Sequence, residues 1–298
     1  MTPIGIVITV FRGGCQVVSE DQVCDLKLIG RHAQQGLSLA VGDEISFDPE
    51  KEIVLERLPR RTRLRRLRRR SEQVIAANMD QLAVVASFLE PSFRPGAIDR
   101  FLLAAHAGGL EPILIVNKLD LLKGEPLPEE VRVYERILPV FTLCARTGKG
   151  LPPLREKLRG VRTVLAGHSG VGKSTLLNAL EPELRLETGE VTSMKKGRHT
   201  TSRAIWIRLA GDAVVVDTPG LREIGTGPVD PDLLDEVYPD VARFASDCRF
   251  RDCRHDREPE CSVRAATERG ELPPARLVSF QRLIAEIDAE RRDSSQAR

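Results

Sequence analysis

Aromatic residues are scarce in this chain: nine Phe, two Tyr and one Trp among 298 residues. Its cores must therefore rest on aliphatic side chains, and any nucleic-acid surface must lean on charge more than on stacked bases. Long apolar runs are missing too. None approaches the roughly 20 residues needed to cross a bilayer, so no membrane partner is expected. The opening Met1-Thr2-Pro3-Ile4-Gly5-Ile6 lacks a charged segment ahead of a long apolar one, which sets the expectation of a cytoplasmic protein without a signal peptide. A dominant charge sign is also absent. A net charge of +2 excludes arguing for a polyanionic partner from bulk charge alone. The six cysteines do not form an evenly spread disulfide frame. Cys15, Cys24 and Cys144 are scattered and read as small buried residues, whereas the other three lie close together, a pattern that in a cytosolic chain points to metal.

What is present begins with Gly167-His168-Ser169-Gly170-Val171-Gly172-Lys173-Ser174-Thr175. An apolar run, Thr163–Ala166, precedes it, and Leu176–Leu180 reads as the start of a helix. The spacing G-x-x-x-x-G-K-S thus sits between strand and helix, as a phosphate loop requires. The glycines let backbone N–H groups turn inward around phosphates, and the helix N-terminus adds its partial positive charge. Lys173 is the residue to reach the β- and γ-phosphates, and Ser174 the one to ligate Mg²⁺.

Upstream, five short β-like runs separated by turns fill residues 6–56. They predict a small closed barrel, with the five-stranded OB-fold as the best fit and an SH3-type barrel as the alternative. Next comes the most basic stretch, residues 57–70, with nine arginines and no acidic residue. It reads as a linker whose guanidinium forks suit phosphate oxygens, hence salt-dependent binding to a polyanion.

Residues 81–88 and 112–116 read as buried strands, with a glycine-ended helix between them. The second strand runs into Asn117-Lys118-Leu119-Asp120, which resembles the guanine-specificity motif N-K-x-D. The Asp120 carboxylate can accept from guanine N1–H and the exocyclic amino group, a donor pair that adenine lacks. Asn117 can face the O6/N7 edge, and the stem of Lys118 can lie over the ring. Cys144-Ala145-Arg146-Thr147-Gly148 resembles the loop that contacts guanine O6 through a backbone N–H, with Cys144 in place of the usual serine. These base-reading motifs precede the phosphate loop. In ordinary GTPases they come after it, so the order implies a circular permutation, which leaves a site intact when domain termini lie close together.

Downstream, Gly197-Arg198-His199-Thr200-Thr201 stands where a switch threonine belongs, and Thr200 or Thr201 is expected to complete the Mg²⁺ shell. A hairpin over residues 204–217 ends in Asp217-Thr218-Pro219-Gly220, a D-x-x-G motif. Asp217 would hold Mg²⁺ through water and the Gly220 N–H would sense the γ-phosphate. Leu221 stands where Ras-type enzymes carry a water-positioning glutamine, so His199 becomes the candidate for that task, against the alternative of a structural or phosphate-contacting histidine. Near the C-terminus, Cys248-x₄-Cys253-x-His255-x₅-Cys261 offers three thiolates and an imidazole, a closed tetrahedral set suited to one structural Zn²⁺. Five arginines in the same segment (Arg249, Arg251, Arg254, Arg257, Arg264) favour RNA contact. Leu277, Phe280, Leu283, Ile284 and Ile287 fall at helical spacing, and Arg291 onward reads as a frayed tail.

Together these motifs resemble the ribosome small-subunit-dependent GTPase A family over nearly the whole chain: V-G-D at Val41–Asp43, A-A-N-M-D-Q at Ala76–Gln81, N-K-L-D, G-H-S-G-V-G-K-S, G-R-H-T-T, D-T-P-G and the C-x₄-C-x-H-x₅-C pattern. The resemblance implies a factor that binds the small ribosomal subunit and its rRNA late in assembly. It also implies subunit-stimulated hydrolysis of GTP to GDP and release afterwards, and it supports His199 as the residue that positions water. The expected fold is α/β, with three domains: an OB-fold barrel over residues 1–62, a circularly permuted P-loop GTPase domain over 63–224 and a zinc-binding helical domain over 225–298. A monomer is expected. The alternative reading is an RNA-binding module whose affinity nucleotide modulates, with a negligible catalytic role.

Overall fold

A computed structural model of the protein describes residues 2–29, 37–68, 71–184, 204–218, 230 and 232–296. Strands β1 (Ile4–Phe11), β2 (Gly14–Ser19), β3 (Gln22–Lys27), β4 (Glu44–Asp48) and β5 (Ile53–Arg57) form a closed barrel in the order β1-β2-β3-β5-β4. β1 closes it by antiparallel pairing with β4, and β3 meets β5 in parallel. This is an OB-like Greek-key barrel. Alternation with period two turns Val7, Cys15, Val17, Leu26, Ile45, Phe47 and Val54 inward. Phe47 is the only aromatic of that buried set, as the composition implied.

The arginine-rich stretch is more than a linker. Residues Arg63–Arg68 (β6) pair antiparallel with Ser71–Ala77 (β7) as a separate two-stranded sheet. Ahead of it, Arg60 is bound to the fully buried Asp43 through Nε–Oδ1 at 2.6 Å and Nη2–Oδ2 at 2.8 Å. Arg61 pairs with Asp80 at 2.8 Å. These two arginines help fasten the barrel to the segment that follows, and Arg60, 11% exposed, is not open to a polyanion. Asn78 adds to the same seam by donating to Gly42 O at 3.0 Å and accepting from Arg61 N at 2.8 Å. Two pieces of the V-G-D and A-A-N-M-D-Q motifs are thus one joint.

The central sheet runs β10-β9-β8-β11-β13-β12. Its strands are β8 (Gln81–Ser87), β9 (Glu111–Asn117), β10 (Val140–Thr142), β11 (Arg162–Ala166), β12 (Ile205–Arg208) and β13 (Val214–Asp217). All are parallel except the edge strand β12, which pairs antiparallel with β13. Every residue of β8 is buried, as a strand covered on both faces must be. One face is covered by α1 (Pro95–Gly108) and α2 (Glu129–Glu135), the other by α3 (Leu151–Leu158) and α4 (Lys173–Leu180). Gly109 at φ 74° closes α1 as a left-handed cap. Because the strands are parallel, the carboxyl ends of β8, β9, β10, β11 and β13 gather their loops along one edge of the sheet.

The C-terminal helices α5 (Leu233–Val237), α6 (Pro239–Ala245), α7 (Ser262–Glu268) and α8 (Pro274–Gln296) share a continuous core with the α1 face. Leu277, Phe280, Leu283 and Ile287 are buried at the expected spacing, and Ile284 packs beside them. The expected fray at Arg291 is not there: α8 runs on to Gln296. No helix among the described residues is long and apolar enough to cross a membrane.

A polar knot sits in this shared core. Asp99 of α1 is fully buried and accepts from Tyr134 Oη at 2.7 Å, Tyr238 Oη at 2.8 Å, the Ser279 hydroxyl and Arg276 Nη1 at 3.3 Å. Arg276, 3% exposed, also grips Asp240 with two bonds of 2.9 Å. Burial, reinforced by Asp99, pushes both tyrosine hydroxyls well above their usual range, so they remain donors.

Candidate nucleotide site and metal centre

At the end of β11 the chain turns sharply into the phosphate loop. Gly167 adopts φ 139° with its open side against Val85 O, where a Cβ would approach to 2.2 Å. Gly172, at φ 94°, leaves room for the Asn117 amide, 2.4 Å from where its Cβ would lie. Both positions therefore require glycine. Lys173 opens α4 and donates from Nζ to Gly167 O at 2.7 Å and His168 O at 3.0 Å. Its ammonium is thus held inside the curve of the loop, at the place where phosphate oxygens would replace those carbonyls. Ser174 and Thr175 come next in the first turn of α4.

Asp217 ends β13 in register with Leu165 of β11, which brings it beside the phosphate loop. It is 8% exposed, and its Oδ1 is buried with no hydrogen-bond partner among the described residues. Burial pushes its carboxyl up, and Lys173 pulls it back down. A buried carboxylate oxygen without a donor, beside a phosphate loop, fits a hydrated cation. Arg198, His199, Thr200, Thr201 and Gly220 lie outside the described residues.

The base-reading loops meet the phosphate loop through one side chain. Asn117, 2% exposed, accepts at Oδ1 from Lys118 N (2.8 Å) and Ala145 N (2.9 Å), and donates from Nδ2 to Val171 O (3.0 Å). Its amide ties three loops together, and one of the two Nδ2 hydrogens is used in doing so. The N–H groups of Cys144 and Ala145 are likewise committed, to Lys149 O and to Asn117. Among the described residues the Arg146 N–H has no acceptor, which makes it the backbone donor left for guanine O6.

Lys118 sits in the left-handed region at φ 64°, turning β9 into a 3-10 turn over Leu119–Leu122. Its ammonium donates to Glu90 O, which lays the stem along the wall of a cavity of about 260 Å³. That cavity is lined by Lys118, Asp120, Cys144, Arg146, Gly172 and Thr175, among others. The volume is of the order expected for a small-ligand pocket. A hydrogen bond from the Cys144 thiol, helped by the charges of Arg146 and Lys118, holds the Asp120 carboxyl below its usual range. Motif reading passed over Arg146, whose Nη2 lies 2.8 Å from Asp120 Oδ2; only contact across two loops reveals it.

Cys248, Cys253, His255 and Cys261 converge, their ligand atoms all within 4.8 Å of one another. Cys248 Sγ lies 3.9 Å from Cys261 Sγ, and His255 Nδ1 lies 3.6 Å and 3.4 Å from those two sulfurs. A tetrahedral zinc centre with ordinary bond lengths has edges of about 3.8 Å between sulfurs and about 3.5 Å between sulfur and nitrogen. The donor set fits. Burial holds the His255 ring below its usual range, hence neutral, as a ligand must be. Gln281 Nε2 of α8 donates to His255 O at 2.6 Å, and Glu258 accepts from the N–H groups of Arg254, Asp256 and Arg257, shaping the ligand loop.

Three of the five arginines read as RNA contacts are paired within this module: Arg249 with Glu260 at 2.6 Å, Arg254 with Asp288, and Arg257 with Asp256 at 3.7 Å. All three remain exposed, so these surface pairs leave their charge facing solvent. Cys261→Ser is expected to abolish metal binding, read as one metal equivalent per chain falling to none by atomic spectroscopy. The melting temperature should fall by about 10 °C if the site contributes a few kcal/mol.

Comparisons with known proteins bear on these assignments. Residues 57–227 match the family model described as RsgA GTPase. A protein of Opitutus terrae named Small ribosomal subunit biogenesis GTPase RsgA is 43% identical over 235 residues, which span 77% of this chain and 64% of that protein's length. The protein of the same name from Geobacillus kaustophilus is 36% identical over 291 residues, 95% of this chain and 97% of its own. Among solved structures, YjeQ from Thermotoga maritima aligns with a TM-score of 0.74 at 30% identity, covering 96% of this chain and 99% of that one. YloQ, described as a circularly permuted GTPase, aligns with a TM-score of 0.71 at 27% identity, covering 97% and 96%.

Proposed function

The chain belongs to the RsgA GTPase family, and from that membership we propose that it binds GTP in the cavity beside the phosphate loop, hydrolyses it to GDP and phosphate, and acts in maturation of the small ribosomal subunit. The observation that carries the reading is the Asn117 amide. It joins Val171 of the phosphate loop to Ala145 of the base-reading loop, so guanine and phosphate sites form one binding surface.

In this reading Asn117, Lys118 and Asp120 hold the base, with Cys144 and Ala145 shaping the wall. Residues 167–175 wrap the phosphates, with Lys173 against the β- and γ-oxygens. Ser174, Thr200 and Asp217 would hold Mg²⁺, which offsets the charge that develops on the phosphates. Gly220 contacts the γ-phosphate, and His199 positions the attacking water. The Cys₃His set holds a single Zn²⁺ as a structural staple. The partners are the small ribosomal subunit and its rRNA, met by a monomer in the cytoplasm. The exposed Arg63 and its neighbours on the β6–β7 hairpin supply the positive charge.

The test is GTP turnover with and without purified small subunits. A sharp rise with subunits is expected, and unchanged turnover would point instead to the nucleotide-modulated RNA-binding module. His199→Ala should lower the stimulated rate by about a hundredfold, the low end for one positioned catalytic group, while leaving GTP affinity nearly intact. Equal losses in both would make His199 a binding residue.

A further inference from the structure

Arg146 is the third residue of the Cys144–Gly148 loop. Its side chain is 77% exposed, so by exposure alone it is a solvated surface arginine. Yet its Nη2 reaches 2.8 Å from Oδ2 of Asp120, which lies on a different loop 26 residues earlier. Both residues line the same cavity.

An ionised carboxylate offers about four acceptor sites, two on each oxygen. A guanine edge needs two of them, one for N1–H and one for the exocyclic amino group, and it needs both oxygens turned toward it at once. A carboxylate on a single rotatable bond does not hold that orientation unaided, because its terminal torsion is broad. Here one of the remaining sites is taken by a residue of the cavity wall itself. Arg146 Nη2 takes it on Oδ2, at 2.8 Å.

We propose that Arg146 is a positioning residue for guanine selection, whose guanidinium sets the rotation of the Asp120 carboxylate so that both oxygens present to the base. The proposal rests on the assignment of this cavity to guanine. The competing role for an arginine at this rim is to stack on the base, and the two roles separate cleanly. Stacking depends on the ring and treats guanine and hypoxanthine alike. Positioning acts through Asp120, so it matters most where both donors are present.

The experiment measures affinities for GTP and for ITP, whose base keeps N1–H but lacks the amino group, on the full-length protein and on Arg146→Ala and Arg146→Gln. Arg146→Ala is expected to weaken GTP roughly two- to fivefold, the range of an exposed ion pair, and to change ITP by less than half as much. Arg146→Gln, which keeps a donor without the charge, should recover part of the GTP:ITP ratio. Raising salt should erode that ratio in the native protein and not in Arg146→Ala, because an exposed pair is screened. Equal losses for GTP and ITP would show stacking and overturn the proposal, as would an unchanged ratio. Native protein that binds ATP as well as GTP would overturn the guanine assignment itself. Because the side chain is exposed, the melting temperatures of the variants should lie within about 2 °C of the native protein's, which keeps folding out of the comparison.

Discussion

Arg276→Ala is expected to cost about 3–5 kcal/mol of folding stability, read as a lower urea midpoint with an unchanged slope. Arg276 is a cation set between two carboxylates, Asp99 and Asp240, and it is 3% exposed while Asp99 is fully buried. Its guanidinium also lies 4.3 Å from the centroid of the Tyr238 ring, a cation–π contact. Removing it leaves the buried Asp99 carboxyl group without its cationic partner, and that penalty exceeds the loss of the contacts themselves. The control is Asp99→Asn combined with Arg276→Met. That pair removes the charge with its partner, so it should lose markedly less than the two single changes added together. Additive losses would mean that the knot is a set of separate contacts.

Asp120→Asn is expected to weaken GTP about a hundredfold and to raise the affinity for xanthosine triphosphate. The carboxylate accepts two charge-assisted hydrogen bonds from guanine in the proposed pose. Each contributes about 1.5 kcal/mol or more when a charged group takes part, and about 1.4 kcal/mol is a factor of ten. An asparagine amide places a donor where one acceptor stood. Xanthine, with a carbonyl in place of the amino group, supplies the acceptor that this donor needs. Competition binding with GTP, XTP and ATP reads the exchange directly. A variant that keeps its GTP affinity would show that Asp120 does not read the base.

How much of this was legible from residues alone depended on range. The barrel strands, the buried run of β8 and the cap at Gly109 come from period-two alternation, continuous apolarity and a glycine stop, all local signals. The metal set was legible because four ligands fall within fourteen residues. The arginine run misled, because arginine fills four of the six positions of Arg63–Arg68 and the two leucines, Leu64 and Leu67, lie three apart and not two, which hides the alternation that marks a strand; the register shift between Leu64 and Arg65 breaks it further. Asp99 lies in the glycine-ended helix, and nothing in its immediate sequence marks its role. Its partners Tyr134, Tyr238, Arg276 and Ser279 lie 35 to 180 residues away, and no spacing rule reaches that far. Arg60 and Arg146 were missed or misread for the same reason. Each is defined by a carboxylate on another loop, Asp43 and Asp120.

The amide of Asn117 carries one more consequence. Lys118, Ala145 and Val171 belong to three loops that would otherwise sample many arrangements, and a single buried carboxamide holds them in one. Much of the disorder of those loops is therefore lost when the chain folds, before any nucleotide arrives. GTP meets a largely preorganised surface, so its contact energy goes into affinity and discrimination, with little diverted to ordering the loops that receive it.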